Sequence, residues 1–492
     1  MLLRGTTGSV LVLLGGLVIV PMPAGNPVLL ALPWLRLLRH HDPHGRVLAL
    51  GVVLTGLALL SWAWCSLLRT TGRLDDRAGV RLARSAVTTW SLPLVVAPPL
   101  FSRDGWSYAA QGMMTRLGIS PYEHGPAVLT GPIVAAVDPQ WMHTLTPYGP
   151  LPLALGSLAA RVTGDPWLLV IADRLVALLG LALLAWAVPR MAAWAGTSPG
   201  WASAFVLASP LMLAHGVGGL HNDVLMVGLM AAALVVGVER SWVAGCLLGG
   251  LAAAVKVPGG LVCVPLLLAS LPVGASFLRR CGRLVVGAAL AGAVLVGVGL
   301  ASGLGVGWVH GLSVPAVIDT PLSVPTELGD LLGRLSHHLG GPPHRRVLHS
   351  VRAVATAGSL LVVVLVALRG RTGNPRAGLR AALLLYGTLV LGLPAVQPWY
   401  LLWLLPFAAA AGMRRRTAAP VGALLVLGSL LAPLQSTFHV VYRQTVLDLV
   451  RLGMAVVVLA GCLVTVRAVR RRRPRDPGTA SDGPAGGLAV GP

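Results

Sequence analysis

The stretch SLPLVVAPPLFSRDGWSYAAQG, residues 91–112, decides the fold: an apolar run ends at Phe101, and a carboxylate, Asp104, follows almost at once. One such run could be a core strand or helix of a soluble protein, but runs of this kind recur along the whole chain. Of 492 residues, 55% are hydrophobic and 11% charged, and the mean hydropathy is +0.79. No soluble core needs so much apolar material. The composition is that of an all-α polytopic membrane protein, because helices satisfy their own backbone groups in lipid.

A helix needs about 20 residues to cross a hydrocarbon layer about 30 Å thick. Apolar segments fall near 9–22, 47–68, 84–101, 167–188, 201–215, 222–238, 242–256, 258–272, 284–304, 347–368, 379–395, 398–412, 419–435 and 445–466. They predict about 12–14 transmembrane helices. The 242–272 pair, which contains GCLLGGLAAAVKVPGGLVCVPLLLASL, reads either as two spans or as a re-entrant hairpin broken at Pro258-Gly259-Gly260. Residues 1–472 are expected to form one transmembrane domain, with 473–492 a disordered cytoplasmic tail.

Net charge is +22, from 38 basic and 16 acidic residues. In a soluble chain this would suggest nucleic acid, but here the arginines cluster between apolar runs, which reads as orientation in a bilayer and argues against a nucleic-acid partner. RTTGRLDDRAGVRLAR (69–84), RRCGR (279–283), RGRTGNPRAGLR (369–380), RRR (414–416) and the C-terminal cluster occupy alternate connections and are expected in the cytoplasm, with both termini. Segments 22–46, 102–166, 305–346 and 436–444 then face outside. Arg36, Arg39 and Arg46 conflict with that side, and a surface-lying helix around PWLRLLRHH would relieve the conflict. The 102–166 loop is too rich in Trp, Tyr, Pro and Gly for a linker, and its apolar phases predict two short amphipathic helices lying along the membrane surface, around 106–117 and 151–162.

Five cysteines (Cys65, Cys246, Cys263, Cys281, Cys462) are scattered without a CxxC pair, implying neither disulfides nor zinc. The N-terminal MLLRGTTGSVLVLLGGLVIVPMPAG shows no A-x-A cleavage pattern, so an uncleaved first helix is expected. No Walker A loop is present, which leaves ATP-driven transport without support.

Polar residues at helix ends are the places for chemistry. Asp104 is either a cap-type aspartate of a helix starting at 105 or an ionised group held close to lipid. In HGVGGLHND (215–223), His215, His221, Asn222 and Asp223 read as a hydrogen-bonded turn, a polar binding set or metal ligands, though the spacing fits no zinc signature. Lys256, the sole lysine, is either a snorkelling side chain or a functional cation. VQPWYLLW (396–403) carries interfacial aromatics, with Gln397, Trp399 and Tyr400 also suited to a sugar. Asp173-Arg174 reads first as an intramembrane ion pair. Arg174, Arg345, Arg346 and Arg352 are cations that could meet a lipid phosphate. A metal tract among His337, His338, His344 and His349 is disfavoured.

Taken in order, DGWSYAAQG, GISPYEHGP, TPYGPLPL, GLHNDVLMVGL, AAAVKVPGGL and VQPWYLLWLLPF make the chain resemble the polyprenol-phosphate-mannose-dependent α-1,6-mannosyltransferases, integral membrane enzymes of the C-type glycosyltransferase fold from mycobacteria and related actinobacteria. The resemblance covers roughly residues 80–470. It implies a polyprenyl phosphomannose donor, a lipid-linked α-1,6-mannan acceptor as in lipomannan synthesis, an active site outside the plasma membrane and no cofactor. It also implies that Asp104 is the general base of an inverting displacement. Tyr108, His221, Asn222, Asp223, Lys256, Gln397, Trp399 and Tyr400 would then bind donor or acceptor. The chain departs from many C-type enzymes in lacking a folded domain after the last span and an acidic pair in the first loop, so no metal is expected. A transporter or lipid-carrier flippase, or a transferase of another sugar or acceptor, is the alternative, but a transporter should show repeat symmetry and polar groups at mid-bilayer.

Overall fold

The computed structural model describes residues 1–438 except 24, 33, 34, 36, 37 and 40–42. The regular elements among them are all helical. The span expected at 445–466 and the 473–492 tail lie outside the described residues, as do Arg36 and much of the PWLRLLRHH stretch. Numbering the principal helices in chain order gives α1 (Leu2–Ile19), α2 (Pro43–Thr71), α3 (Asp76–Ser91), α4 (Asp104–Arg116), α5 (Pro150–Val162), α6 (Pro166–Ala195), α7 (Pro199–Leu207), α8 (Asp223–Glu239) and α9 (Trp242–Val255). There follow α10 (Cys263–Ser270), α11 (Phe277–Ala301), α12 (Val324–His338), α13 (His344–Arg369), α14 (Pro375–Gly392), α15 (Leu405–Ala410) and α16 (Arg415–Phe438).

Apart from α4, α5 and α12, the helices overlap the apolar segments read from the sequence. By length and apolarity five of them, α1, α2, α6, α11 and α13, can cross a bilayer unaided. A sixth span would be α7 joined to the π-helix Met212–Gly218, bent by 60°. Of the rest, α8 is unbroken but only 17 residues long, and the 242–272 segment is divided at the extended residue Lys256 into pieces too short to span alone. There α9 ends at Val255, Lys256 is extended (φ −157°, ψ 127°), and a 3-10 turn over Val257–Val262 leads into α10. Pro258 thus sits in the first turn of the new helical piece, where a missing N–H costs nothing, and the break falls at Lys256 before it.

Close backbone approach holds the bundle where side chains are small. A Cβ on Gly56 of α2 would lie 2.6 Å from the Gly8 carbonyl oxygen of α1, so these helices cross with nothing between them. Buried tryptophans satisfy their indole N–H groups on the backbone: Trp64 on Ala204 O at 3.0 Å, Trp90 on Leu2 O at 3.0 Å and Trp106 on Pro21 O at 3.0 Å. Arg39, awkward for sidedness, donates to the carbonyls of Leu17 (2.6 Å), Val18 (3.3 Å) and Val20 (2.8 Å), satisfying the C-terminal end of α1.

The two amphipathic helices expected in the 102–166 loop are α4 and α5. They cross at Gly112 and Gly156, where a Cβ on Gly112 would sit 2.8 Å from the Gly156 carbonyl carbon. Most of α4 is buried, including Trp106, Tyr108 and Gln111. Instead of lying loosely on a surface, α4 packs into the bundle against α5 and α6.

Candidate functional site

Two residues with left-handed backbone deliver the site. Phe101 (φ 63°) ends the apolar approach to α4 and Leu220 (φ 48°) ends the loop before α8. Neither is glycine, and such conformations cost on the order of 1–3 kcal/mol and persist where surrounding structure enforces them. The enforcing contacts are visible: the Leu100 N–H donates to Gly218 O at 3.0 Å, tying the two turns together. Arg174, wholly buried, adds a clasp, donating to the carbonyls of Val95 (2.7 Å), Pro98 (3.2 Å), Val217 (3.1 Å) and Gly218 (3.1 Å). Four of the five guanidinium N–H groups are thus engaged with backbone. The structure does not bring Arg174 to the pocket as a phosphate contact, nor does it show the expected ion pair with Asp173.

The turns place Asp104 beside His221. Asp104 opens α4 but does not cap it; its Oδ1 accepts the Trp141 indole N–H at 3.0 Å, and its Oδ2 stands 3.7 Å from His221 Nδ1. Its side chain is 14% exposed. Burial raises the Asp104 carboxyl to about 6, against the pull of the Ser102 and Trp141 hydrogen bonds, so it is still mostly ionised at neutral pH. One turn on, the Tyr108 hydroxyl lies 2.7 Å from the Tyr148 hydroxyl and 3.4 Å from His221 Nδ1. Burial pushes both phenols well up, so they stay protonated and act as hydrogen-bonding groups.

Lys256, extended at the end of α9, is the second pole. Its ammonium donates to Asp223 Oδ1 at 3.2 Å and to the Tyr400 hydroxyl at 3.0 Å, and lies 4.3–5.2 Å from the ring centroids of Tyr400, Trp403 and Tyr148. An aromatic cage of this kind stabilises a desolvated cation. The Trp403 indole N–H also donates to Asp223 Oδ1, at 2.7 Å. The Tyr148-Gly149 turn is docked beside Lys256 by the Gly149 N–H on Val255 O (2.8 Å), and Tyr386 holds the carbonyls of Pro258 and Gly259 at 3.1 and 3.2 Å.

Asp104, Tyr108, Lys256, Gln397, Trp399 and Tyr400 all line one narrow pocket, whose water-sized space is about 70 Å³. His221 and Asp223 form a layer behind it; the His221 ring stacks under Trp399 with centroids 3.6 Å apart. Asn222 is buried at the start of α8 without capping it. His215 lies deeper, its ring facing Gly428 O at 3.2 Å and set 5.6 Å from the Trp399 ring, and it does not line the pocket. Arg345 and Arg346 are exposed on α13, away from the lining. Arg352 is buried and engaged: it donates to Thr326 Oγ1 (3.0 Å) and Ala316 O (3.1 Å) and pairs with Asp319. It braces the second long loop, whose Val314, Pro315 and Ile318 close one wall. Its role in the structure is thus to hold a wall, and its guanidinium already has partners.

Trp141, Tyr148, Gln111 and Trp403 were not singled out from the sequence. Tyr148 sits in the quoted TPYGPLPL motif, and Trp403 ends VQPWYLLW at a spacing that stacks it on Tyr400, with centroids 4.4 Å apart. Trp141 carries no sequence signal beyond being aromatic in a structured loop. Among the described residues, no group of three His, Cys, Asp or Glu side chains converges as metal ligands would.

The arrangement combines a carboxylate able to take a proton, a caged cation and aromatic walls. Comparisons with known proteins identify the family. Residues 2–272 match the family described as alpha-(1->6)-mannopyranosyltransferase, N-terminal domain, and residues 325–465 match the one described as MptB C-terminal domain. The chain is 33% identical over 436 residues to alpha-(1->6)-mannopyranosyltransferase A of Mycobacterium tuberculosis, covering 85% of this chain and 82% of that protein. It is 29% identical over 409 residues to alpha-(1->6)-mannopyranosyltransferase A of Corynebacterium glutamicum, covering 75% and 83%. No solved structure matches the chain. With a site fit for glycosyl transfer, apolar spanning helices and matches over most of its length, the chain belongs to the alpha-(1->6)-mannopyranosyltransferase family of membrane-embedded hexosyltransferases.

Proposed function

We propose that the protein transfers mannose from polyprenyl phosphomannose to a lipid-linked α-1,6-mannan acceptor. The reaction takes place on the outer side of the plasma membrane, with both termini cytoplasmic. The observation that carries this reading is that Asp104 and Lys256, an ionisable carboxylate and the chain's sole lysine, line the same pocket.

In the proposed step the acceptor hydroxyl oxygen attacks the anomeric carbon as Asp104 takes its proton. The bond from that carbon to the phosphate oxygen breaks, and polyprenyl phosphate leaves with the electron pair. The Lys256 ammonium meets the departing phosphate, where charge develops. Trp399, Tyr400 and Tyr148 offer faces on which sugar rings pack, and Gln397 a hydrogen-bonding edge. A single in-line displacement converts a β-linked donor into an α-linked product. One leaving phosphate facing a buried ammonium needs neither metal nor cofactor in this scheme.

The test is extension of a short α-1,6-mannoside by purified protein given polyprenyl phosphomannose, with and without chelator. Extension that survives chelation supports the reading. Failure with this donor, together with flipping of labelled lipid carrier across vesicles, would sink it.

A further inference from the structure

We propose that Trp141 is a positioning residue of the transfer reaction: its indole N–H fixes Asp104 Oδ1, so that Oδ2 is the oxygen presented to the acceptor hydroxyl. This rests on the reading of Asp104 as the base. Three observations carry it. The indole nitrogen is 3.0 Å from Oδ1, and Trp141 and Asp104 both line the pocket. Oδ2 is not the oxygen the indole holds; His221 Nδ1 stands off from it at 3.7 Å, and Ser102 is the other side chain hydrogen-bonded to this carboxylate. The turn that carries Trp141 is itself registered on the start of α4: Asp138 caps Pro139–Met142 by accepting the Gln140 N–H at 2.9 Å, and its other oxygen lies 4.0 Å from Arg103, the residue before Asp104.

The loop thus meets α4 twice, at Arg103 with Asp138 and at Asp104 with Trp141. A carboxylate free to rotate would offer either oxygen at varying angles, whereas one held at Oδ1 offers a fixed lone pair. The bond also bears on proton affinity. Burial raises the Asp104 carboxyl, and the Ser102 and Trp141 hydrogen bonds pull it down by favouring the charged form. The charged and titratable groups facing this carboxylate are His221 and Asp223 from the start of α8, Lys256 from the end of α9, Tyr108 from α4, Tyr148 from the first long loop and Tyr400 from the turn after α14. None of them is altered by changing Trp141.

Trp141→Phe keeps an aromatic ring in place and removes the N–H. Wild type, Trp141→Phe and Asp104→Asn are compared for extension of a short α-1,6-mannoside across a range of pH. For Trp141→Phe we expect kcat to fall about tenfold, KM for both substrates to stay within about twofold, and the acidic limb of the rate profile to move to higher pH. Carboxyl-carbon NMR of Asp104 should show the same upward movement without turnover. Unchanged kcat with an unmoved limb, or a loss confined to KM as for a simple wall contact, overturns the positioning role. If Asp104→Asn retains wild-type activity, the base reading falls instead, whatever Trp141→Phe does. Trp141→Leu, read by the same titration, serves if the phenylalanine variant folds poorly: an unmoved carboxyl overturns the proposal there too.

Discussion

The Lys256 ammonium lies 3.2 Å from Asp223 Oδ1, deep in the protein, while Asp223 Oδ2 has no hydrogen-bond partner. Two opposite charges 8% and 0% exposed are costly to desolvate and tolerable only together. The pair is therefore a structural dependency, with its carboxylate behind the pocket wall.

Removing one partner strands the other. Lys256→Met should destabilise the protein by about 3–5 kcal/mol, whereas the double variant Lys256→Met, Asp223→Asn should recover much of that loss. Thermal unfolding in detergent checks both. If the double variant loses as much as Lys256→Met and Asp223→Asn lose separately when added, the two groups are not coupled. Neither variant should transfer mannose.

Asp104 gives the pH dependence. Its carboxyl is raised from 3.8 to about 6 by burial, so the folded protein holds a proton between these values that the unfolded chain has released. The base is competent only when ionised: activity should rise with pH through about 6 and plateau above. The same raised value makes the charged form a burden on folding above that pH, so Asp104→Asn should melt no lower than the wild type near neutrality while losing at least about 100-fold in rate. Circular dichroism melting and a rate profile from pH 4.5 to about 8 separate the two effects.

Gly112 is where α4 meets α5 backbone to backbone. Gly112→Val has nowhere to put its side chain, since even a Cβ would sit 2.8 Å from Gly156. The helices must part, at a cost of roughly 1–3 kcal/mol, and Tyr108 moves away from Tyr148. Lower melting temperature together with reduced kcat is expected. A variant that melts early yet turns over normally would show that the crossing does not set the site.

Arg352 acts at a distance from the reacting groups. Arg352→Met removes its contacts with Thr326, Ala316 and Asp319 and loosens the wall formed by Val314, Pro315 and Ile318. Acceptor KM should rise about tenfold, which corresponds to about 1.4 kcal/mol, with kcat changed less. Steady-state kinetics with acceptor varied at saturating donor distinguishes this from a direct role on phosphate, which would appear in donor KM or kcat.

Much of this was legible beforehand because membrane burial writes itself into sequence as uninterrupted apolar length. Within the described residues the expected segments overlap helices, and six of the expected site residues line one pocket, where polar groups at the ends of apolar helices converge. What could not be read was tertiary. An arginine clasping four carbonyls looks in sequence like one awaiting a phosphate, and only the fold shows that Arg174 is engaged with backbone. Trp141 looks like any interfacial tryptophan until folding brings it to Asp104. Span length was also hard to read, since proline and glycine divide apolar runs such as 242–272 into pieces without lowering their hydropathy.

A chain with one lysine has one ε-amine, and here it is 8% exposed behind the Tyr400 hydroxyl and the Asp223 carboxylate. Acylating reagents, which scatter over most protein surfaces, therefore have a single internal target in this protein besides the terminal amine. The rate at which that amine becomes labelled is a built-in clock for opening of the pocket, readable by mass spectrometry without an engineered probe.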